Sequence, residues 1–473
     1  MTDAVLAAGN GRLKVVGRAG IGVDNVDLAA ATRFGTVVMN TPFGNSITTA
    51  EHAISMMMAL ARQIPAADAS TRAGKWEKSK FMGVELFGKT LGLIGAGNIG
   101  AIVADRAQGL KMKVVAFDPF LSPQRARDLG VEKVDLDTLL GRADFITVHT
   151  PLTDGTRNLI DAAALEKCKT GVRIINCARG GIVDEKALKD GLESGKVAGA
   201  ALDVFVEEPA RDNPLFALEN VVATPHLGAA TEEAQENVAL QVAEQMSDYL
   251  LTGAITNALN MPSISAEDAP RLQPYMALAC QLGAFAGQVT ESAIKAITME
   301  FEGHVAKLNV KPLVQAALAE VMKPFSEAVN MVNAPVFARE RGIDVSEVIH
   351  DRPGDYQTLI RLTLTTERFT RSVSGTLFGG KLPRLVNIKG IAIEAELSPN
   401  MLYITNHDKP GLIGGIGSIL GDAGVNIATF HLGRADAGGD AIALISIDEA
   451  LTPDLLTKLQ ELPQIKQIKS LTF

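Results

Sequence analysis

The segment TLGLIGAGNIG carries three glycines, Gly95, Gly97 and Gly100, at the spacing G-x-G-x-x-G. It follows an apolar run typical of a buried strand and opens a helical pattern. In that setting the first glycine permits a tight turn, the second lets a phosphate approach the backbone, and the third brings helix and strand together. The unpaired N–H groups at the start of the helix suit a diphosphate. The motif therefore predicts a dinucleotide site.

An acidic residue, Asp118, ends the next apolar run, MKVVAFD, 18 residues after Gly100. A carboxylate in this place accepts hydrogen bonds from ribose hydroxyls and repels a 2′-phosphate, which favours NAD over NADP. Two alternatives stay open. Arg125 would admit NADP if it folded back towards the ribose, and the glycines could form a turn in some other α/β domain.

Three polar residues follow later apolar runs: Arg179 after VRIINCA, Glu208 after AGAALDVFVE, and His226 after NVVATP. Carboxyl ends of parallel strands lie at one edge of a sheet, where ligands bind. Neutral imidazole is a suitable base for a hydroxyl proton near pH 7, a carboxylate stabilises the imidazolium, and an arginine fork holds a substrate carboxylate. The set predicts oxidation of an alcohol by hydride transfer. Taken alone, each residue has another interpretation: Arg179 could cap a helix or pair with Asp184, Glu208 could be a solvated loop acid, and His226 could terminate a strand. His149, at another strand end, is interpreted as lining the cofactor site.

The elements that position these residues alternate in type. From Leu13 to Pro262, short apolar runs are separated by helical patterns, which predicts a parallel sheet covered on both faces. Thr48 and Glu51 predict a capping box at the start of the first of these helices. The predicted helices are 48–63, 98–111, 135–142 and 184–195.

The pattern changes after a Pro- and Ser-containing break at 261–270. Helices are predicted at 271–289 and 311–341, followed by alternating strands typical of antiparallel pairing. A second break at 397–400 precedes a tail whose strand and helix patterns run in the order βαββαβ, which is that of a ferredoxin-like unit.

The composition and net charge argue against several classes of protein. The net charge of −9 offers no basic field for nucleic acid, and no run approaches the ~18 apolar residues of a membrane span. The three cysteines, Cys168, Cys177 and Cys280, show no paired spacing, which argues against disulfides or a cysteine zinc site and suits a cytoplasmic location. The histidines are dispersed, so no metal site is predicted.

Eight motifs together resemble the D-2-hydroxyacid dehydrogenases in order and spacing: GRAGIGVDNVD, NTPFGNS, LIGAGNIG, FDP, HTPLT, NCARGGIVDE, AALDVFVEEP and TPHLGAAT. The remainder of the chain resembles the long-form members, which carry an intervening domain and a C-terminal ACT domain. The resemblance implies an α/β protein with a Rossmann-type doubly wound parallel sheet, a flavodoxin-like substrate domain, an α+β intervening domain and a ferredoxin-like ACT domain.

The resemblance also implies domain boundaries. Family members carry a complete substrate domain before the GRAG strand, so roughly 50–70 residues are expected to be missing here. The implied domains are a substrate-domain remnant at 1–40 and 226–257, a NAD-binding domain at 41–225, an intervening domain at 258–396 and an ACT domain at 397–473.

By position, Arg179, Glu208 and His226 match the family's catalytic residues. Arg179 and His226 would also contact substrate, and Arg18 matches a substrate-phosphate contact, although it could instead pair with Asp24 or Asp27. The implied cofactor contacts are Gly95, Gly97, Asn98, Ile99, Gly100, Asp118, Thr150, Cys177, Ala178, Asp203 and Gly228.

The function implied is oxidation of 3-phospho-D-glycerate to 3-phosphohydroxypyruvate with NAD, the first step of L-serine biosynthesis, in a homotetramer or homodimer. In the tail, Asp408 and Asn426 match residues that hold an L-serine effector; alternatively, Asp408 only caps the following helix. Two other functions stay open. One is a different D-2-hydroxyacid dehydrogenase, such as a glyoxylate or hydroxypyruvate reductase, and the other is a catalytically silent NAD or amino-acid sensor.

Overall fold

The computed structural model describes residues 1–350 and 354–473. Contacts divide the chain into two compact units. One holds Met1–Gly17, Asp24–Met39 and Glu244–Phe473, and the other holds Arg18–Val23 and Asn40–Ala243. The finer division into four domains stays a prediction.

The first forty residues form two short helices and a two-stranded sheet. Asp27 caps the second helix, since its carboxylate accepts a hydrogen bond from the Ala30 N–H at 2.8 Å. The elements are α1 (Asp3–Ala8), β1 (Val15–Arg18), α2 (Leu28–Arg33) and β2 (Val37–Asn40).

Two helices follow, α3 (Ser46–Arg62) and α4 (Ile64–Arg72). The predicted capping box is wrong. Helix α3 begins two residues before Thr48, at Ser46, so Thr48 lies inside the first turn rather than at its cap. The hydroxyl of Thr48 instead lies 3.3 Å from that of Thr231.

Seven parallel strands form the central sheet, in the order β5-β4-β3-β6-β7-β8-β9. The chain moves outward from β3 to β5, returns to β6 and continues to β9, so the strand order reverses between β3 and β6. Ligands bind at such a reversal in open parallel sheets. The strands are β3 (Thr90–Ile94), β4 (Lys113–Phe117), β5 (Glu132–Lys133), β6 (Phe145–Val148), β7 (Val172–Asn176), β8 (Val197–Leu202) and β9 (Val221–Ala223).

The inner strands are apolar along their length because helices cover both faces of the sheet. All four residues of β6 are buried. The predicted parallel α/β sheet is therefore confirmed. The helices that alternate with its strands are α5 (Asn98–Gly109), α6 (Pro123–Asp128), α7 (Leu136–Arg142), α8 (Ala162–Lys167) and α9 (Glu185–Glu193), and α3 packs on β7, β8 and β9. A 3₁₀ turn at Pro214–Ala217 precedes β9, and α10 (Glu232–Thr252) follows it.

The region after the first break is α+β, as predicted. Its sheet has the order β11-β10-β12-β13-β14-β15, in which only the β10–β11 pair is parallel. The helices are α11 (Ala269–Gln288), α12 (Lys311–Met322) and α13 (Ala334–Glu340), with 3₁₀ turns at His304–Lys307 and Lys323–Phe325. The strands are β10 (Ile294–Gly303), β11 (Asp344–His350), β12 (Thr358–Thr366), β13 (Thr370–Phe378), β14 (Leu382–Ile388) and β15 (Ile391–Ala395).

The single helix predicted over 311–341 is wrong, because the segment breaks into α12, a 3₁₀ turn and α13. Pro324 has no N–H for a helical hydrogen bond and ends the first piece. Asn330 and Asn333 then form a turn, in which the Asn330 N–H donates to the Asn333 side chain at 2.7 Å.

The tail folds as predicted into a ferredoxin-like unit, with an antiparallel sheet in the order β17-β18-β16-β19 and two helices. Its core contains Leu402, Ile416 and Leu459, one from a strand and one from each helix. The elements are β16 (Asn400–His407), α14 (Leu412–Asp422), β17 (Ile427–Arg434), β18 (Asp440–Ile447), α15 (Pro453–Gln460) and β19 (Ile465–Thr472).

Candidate active site

The glycine turn joins β3 to α5 at the point where the strand order reverses. Gly95 has a φ of +92°, a conformation that side chains rarely adopt. A Cβ on Gly100 would lie 2.0 Å from the Gly95 carbonyl oxygen, so this close packing requires glycine. A Cβ on Gly97 would meet nothing within 4 Å. Gly97 therefore faces open space in which a diphosphate fits, and Asn98 and Ile99 begin the helix beside it.

Asp118 lies at the end of β4 and is tied to the glycine turn. Its two carboxylate oxygens accept hydrogen bonds from the backbone N–H groups of Ala96 at 2.9 Å and Phe120 at 2.8 Å. A carboxylate has about four acceptor positions. The two that remain are available to ribose hydroxyls.

His149 and Thr150 follow β6 and lie against the glycine turn, since a Cβ on Gly95 would be 2.5 Å from the His149 carbonyl oxygen. His149 Nε2 lies 2.9 Å from the Thr147 hydroxyl, and burial lowers the pKa of His149 to about 4. This imidazole is therefore neutral near pH 7. The Thr150 hydroxyl and His149 Nδ1 are buried without a hydrogen-bond partner in the described chain. Unsatisfied buried polar groups beside an open glycine turn fit a polar ligand.

The loop after β7 carries Cys177, Ala178 and Arg179. The Asn176 side chain braces it, because its amide nitrogen donates to the Arg179 carbonyl at 2.9 Å and its oxygen accepts from the Ala178 N–H at 3.0 Å. Burial, helped by the charge of Asp203, raises the pKa of Cys177 well above its usual value. Cys177 therefore remains a thiol that lines the site.

The Arg179 loop packs directly on the loop after β8 that carries Glu208. A Cβ on Gly180 would lie 1.8 Å from the Phe205 carbonyl oxygen. The guanidinium of Arg179 donates from Nη1 to the Ala178 carbonyl at 2.6 Å. Because β7 and β8 are neighbours in the sheet, Arg179 and Glu208 are presented at the same edge, as predicted.

The structure brings Glu208 and His226 into contact. His226 Nδ1 lies 2.7 Å from Glu208 Oε2, while Glu208 Oε1 accepts a hydrogen bond from the Phe205 N–H at 3.0 Å. About half of the His226 side chain is exposed. His226 has a φ of +58°, which is uncommon for a residue other than glycine and is frequent at functional sites. The pair is thus a partly open histidine oriented by a carboxylate.

Asp203 is fully buried beneath this histidine. Its carboxylate accepts hydrogen bonds from the backbone N–H groups of Leu227 at 2.7 Å and Gly228 at 2.8 Å, the two residues that follow His226 in a tight turn. The Thr224 hydroxyl donates to it at 2.6 Å. Asp203 thus fastens the turn that presents His226, whereas sequence reasoning gave it only a cofactor contact.

Sequence reasoning missed His52, on α3. Its Nε2 lies 3.1 Å from Asp203 Oδ1 and 3.2 Å from the Thr224 hydroxyl. Burial acts to raise the pKa of Asp203, but the hydrogen bonds from His52, Thr224 and Leu227 hold it below its ordinary value. Nothing in the local sequence distinguishes His52 from an ordinary helix residue; only the folded chain brings it to Asp203.

Arg18 ends β1. Its guanidinium donates to the Ala19 carbonyl, and Gly20 leaves room for it, since a Cβ there would lie 3.1 Å from Arg18 Nη1. The Arg18 Nε is buried and finds no hydrogen-bond partner among the residues described. This donor fits an anionic ligand group.

In the tail, the predicted effector residues both have partners. Asp408 accepts hydrogen bonds from Arg434 Nη1 at 3.1 Å and the Gly438 N–H at 3.0 Å, and these donors, Gly438 first, lower its pKa. Asn426 donates to Asp448 at 2.8 Å. The alternative in which Asp408 caps the next helix is wrong, because Gly411 is the N-cap residue and the Asp408 carboxylate bonds to Arg434 and Gly438 instead.

One group of possible metal ligands lies in the α+β region: Glu300, Glu302 and His350. Glu300 already lies 3.1 Å from His350 Nε2 and 3.3 Å from Arg361 Nη1. Glu300 therefore already has two cationic or hydrogen-bonding partners within the described chain. Across residues 1–350 and 354–473, no helix has both the length and the apolar character needed to span a membrane.

The parallel sheet, the glycine turn at its reversal point and the carboxylate–histidine pair define an NAD-binding dehydrogenase. Residues 54–228 match the model of the NAD-binding domain of D-isomer-specific 2-hydroxyacid dehydrogenases. Residues 271–389 match the intervening domain of D-3-phosphoglycerate dehydrogenase, and residues 400–464 match the ACT domain.

Proteins similar to this chain support the same family assignment. The chain is 44% identical to D-3-phosphoglycerate dehydrogenase of Synechocystis over 98% of this chain and 84% of that protein, and 42% identical to that of Bacillus subtilis over 97% and 87%. Among solved structures, a glyoxylate reductase from Paecilomyes thermophila is 34% identical with a TM-score of 0.52, covering 54% of this chain and 78% of that one. The D-lactate dehydrogenase of Aquifex aeolicus, complexed with NAD and lactic acid, is 28% identical with a TM-score of 0.51, covering 56% and 84%. The chain belongs to the D-3-phosphoglycerate dehydrogenase family.

Proposed function

We propose that this chain oxidises 3-phospho-D-glycerate to 3-phosphohydroxypyruvate with NAD, the step that begins L-serine synthesis. The observation that carries the proposal is the 2.7 Å contact between His226 Nδ1 and Glu208 Oε2 at the sheet edge that also bears the glycine turn. The relatives named D-3-phosphoglycerate dehydrogenase, which match nearly the whole chain, support this substrate over other 2-hydroxy acids.

The Glu208 contact fixes the tautomer of the base. An ionised carboxylate only accepts hydrogen bonds, so the proton of neutral His226 lies on Nδ1 and donates to Glu208. Nε2 is then free to take the hydroxyl proton of the substrate. The Glu208 charge stabilises the imidazolium that results.

Cations of the chain would bind the two ends of the substrate. Arg179, beside the Glu208 loop, would hold the substrate carboxylate through its planar fork. Arg18, whose Nε is buried without a partner in the part of the chain described, would bind the phosphate. Together these contacts would fix the carbinol carbon relative to His226.

NAD, when bound, accepts the hydride from the carbinol carbon. The residues that would hold it line the crevice at the reversal of the sheet. The 95–100 turn would face the diphosphate and Asp118 the adenosine ribose. Thr150, Cys177, Ala178 and Gly228 would line the remainder, with Asp203 beneath the turn that carries Gly228.

The decisive experiment measures, by absorbance, NADH formation with 3-phosphoglycerate or glycerate and NADH consumption with glyoxylate, which is the substrate in the direction of reduction. We expect turnover with 3-phosphoglycerate and little with glycerate, since glycerate lacks the phosphate. His226→Ala should lower kcat by about 10²–10⁴-fold, and His304→Ala, outside the parallel-sheet unit, is the matched control. Preference for glyoxylate would instead support a different 2-hydroxyacid dehydrogenase. Absence of turnover with intact NADH binding would support a silent sensor.

The ACT domain suggests a small-molecule effector, and we propose L-serine. Its ammonium would meet the Asp408 carboxylate and its hydroxyl the Asn426 carboxamide, and both side chains are already oriented by hydrogen bonds. Calorimetry with millimolar L-serine on the intact chain and on Asp408→Ala tests this. No heat and unchanged activity would refute it.

We also propose a homodimer or homotetramer in the cytoplasm. Trp76, Met82 and Phe87 follow α4 and are 87%, 78% and 71% exposed. Large exposed apolar side chains clustered along one segment are typical of an interface. Light scattering during size-exclusion chromatography tests the assembly, and a monomer would refute it.

A further inference from the structure

The contact between His52 and Asp203 supports a role for a residue of α3 in the reaction. His52 is far from the strand-end loops in sequence, yet its imidazole reaches the carboxylate that anchors the turn of His226. About 18% of the His52 side chain is exposed, and none of the Asp203 side chain is.

Four donors surround the Asp203 carboxylate: His52, Thr224 and the N–H groups of Leu227 and Gly228. The two backbone donors directly follow His226 in the chain, and the backbone N–H of His226 also donates to the Asp203 carbonyl at 2.9 Å. Asp203 therefore anchors three consecutive backbone N–H groups of the turn that gives His226 its positive φ.

Geometry assigns the proton of His52. The Asp203 carboxylate is only an acceptor, and the Thr224 hydroxyl at 2.6 Å directs its own hydrogen to that carboxylate. The oxygen of Thr224 then presents a lone pair to His52 Nε2. Both neighbours of Nε2 thus require an N–H at that atom, which fixes the Nε2–H tautomer of neutral His52.

We propose that His52 is a positioning residue, whose Nε2–H orients the Asp203 carboxylate so that the turn of residues 226–228 holds the catalytic imidazole in place. This role rests on the proposed function. Removing the donor would leave Asp203 Oδ1 with the Thr224 hydroxyl and the Leu227 N–H alone, and the carboxylate, no longer held from the side of α3, would turn towards those two donors. The Leu227 and Gly228 anchors would shift with it, and displacement of a base by about 1 Å costs up to about 10²-fold in rate.

Three variants test the proposal. His52→Leu removes the donor, His52→Gln retains one where Nε2 lies, and Glu51→Gln changes an exposed neighbour on the same helix. We expect His52→Leu to lower kcat by about 10- to 100-fold while the NADH Kd changes less than about threefold, since the glycine turn and Asp118 are intact. His52→Gln should recover most of the loss, and Glu51→Gln should match the unaltered protein.

Loss of kcat equal in the leucine and glutamine variants, or no loss in either, would overturn the proposal. A folding defect in His52→Leu would appear as lost NADH binding, so a second measurement uses the unaltered protein. Nitrogen-15 NMR of the seven histidines, with the His52 signal assigned by its absence in His52→Gln, reports the tautomer. We expect the proton on Nε2; a proton on Nδ1 would overturn the assignment. This measurement requires no turnover, so it is independent of whether 3-phosphoglycerate is the substrate.

Discussion

Glu208→Gln is the substitution for which the structure gives the sharpest consequence. Both oxygens of Glu208 act as acceptors, one for the Phe205 N–H at 3.0 Å and one for His226 Nδ1 at 2.7 Å. Glutamine has only one acceptor oxygen. The backbone N–H of Phe205 cannot become an acceptor, so the oxygen stays there and the amide NH₂ turns to His226.

This exchange changes the tautomer of the base. An NH₂ group facing Nδ1 requires Nδ1 to accept, which moves the proton to Nε2, the atom that must take the substrate proton. A comparable carboxylate-to-amide change in serine-protease triads costs about 10⁴ in kcat, and a general base contributes about 10²–10⁴. We therefore expect kcat to fall by about 10²–10⁴-fold.

The assay is steady-state NADH formation with 3-phosphoglycerate, together with a fluorescence titration of NADH. The NADH Kd should stay within about twofold, because the glycine turn and Asp118 do not touch Glu208. Glu207→Gln, at the exposed neighbouring position, is the matched control. A Glu208→Gln protein that keeps unaltered kcat would refute the reasoning about the tautomer.

Three further predictions concern the cofactor crevice. Gly100→Ala should weaken NADH binding by at least roughly tenfold in a fluorescence titration, because its Cβ would lie 2.0 Å from the Gly95 carbonyl oxygen. The control is Gly109→Ala on the same helix, whose Cβ would meet open space and should leave NADH binding unchanged. Asp118→Asn should reduce the preference for NADH over NADPH by roughly tenfold, or about 1.4 kcal/mol of lost charge repulsion; an unchanged ratio of the two Kd values would argue against its ribose contact. The His149 pKa of about 4, below its ordinary 6.5, contributes stability that is fully present above pH 6.5 and is lost as pH falls to 4. The free energy of unfolding of the unaltered protein, measured with a chemical denaturant, should therefore fall by up to about 3 kcal/mol more over that range than that of His149→Gln, and parallel profiles would contradict this.

Much of the fold could be predicted because its signals are local. Glycine spacing, apolar strands and the βαββαβ tail each depend on residues adjacent in sequence. The helix predicted over 311–341 failed because Pro324 and the Asn330–Asn333 turn outweighed a continuous apolar pattern. The capping box failed because α3 begins two residues before Thr48.

The site residues also differ in whether their signal is local in sequence: three could be predicted and one could not. Arg179, Glu208 and His226 each follow a recognisable strand, so the rule for parallel sheets places them at one edge. His52 lies on a helix with no distinguishing motif, and its contact with Asp203 joins positions separated by 151 residues. Such a contact depends on tertiary packing, and neither periodicity nor spacing encodes it.

We infer that residues 95–100 bind the diphosphate of NAD and that His226 Nε2 receives the substrate proton. The most direct test is a crystal structure with NAD and 3-phosphoglycerate. We expect the diphosphate against the 95–100 turn and the substrate hydroxyl within about 3 Å of His226 Nε2. A diphosphate bound elsewhere would contradict the role of the 95–100 turn, and a substrate hydroxyl out of reach of His226 would contradict its role as the base.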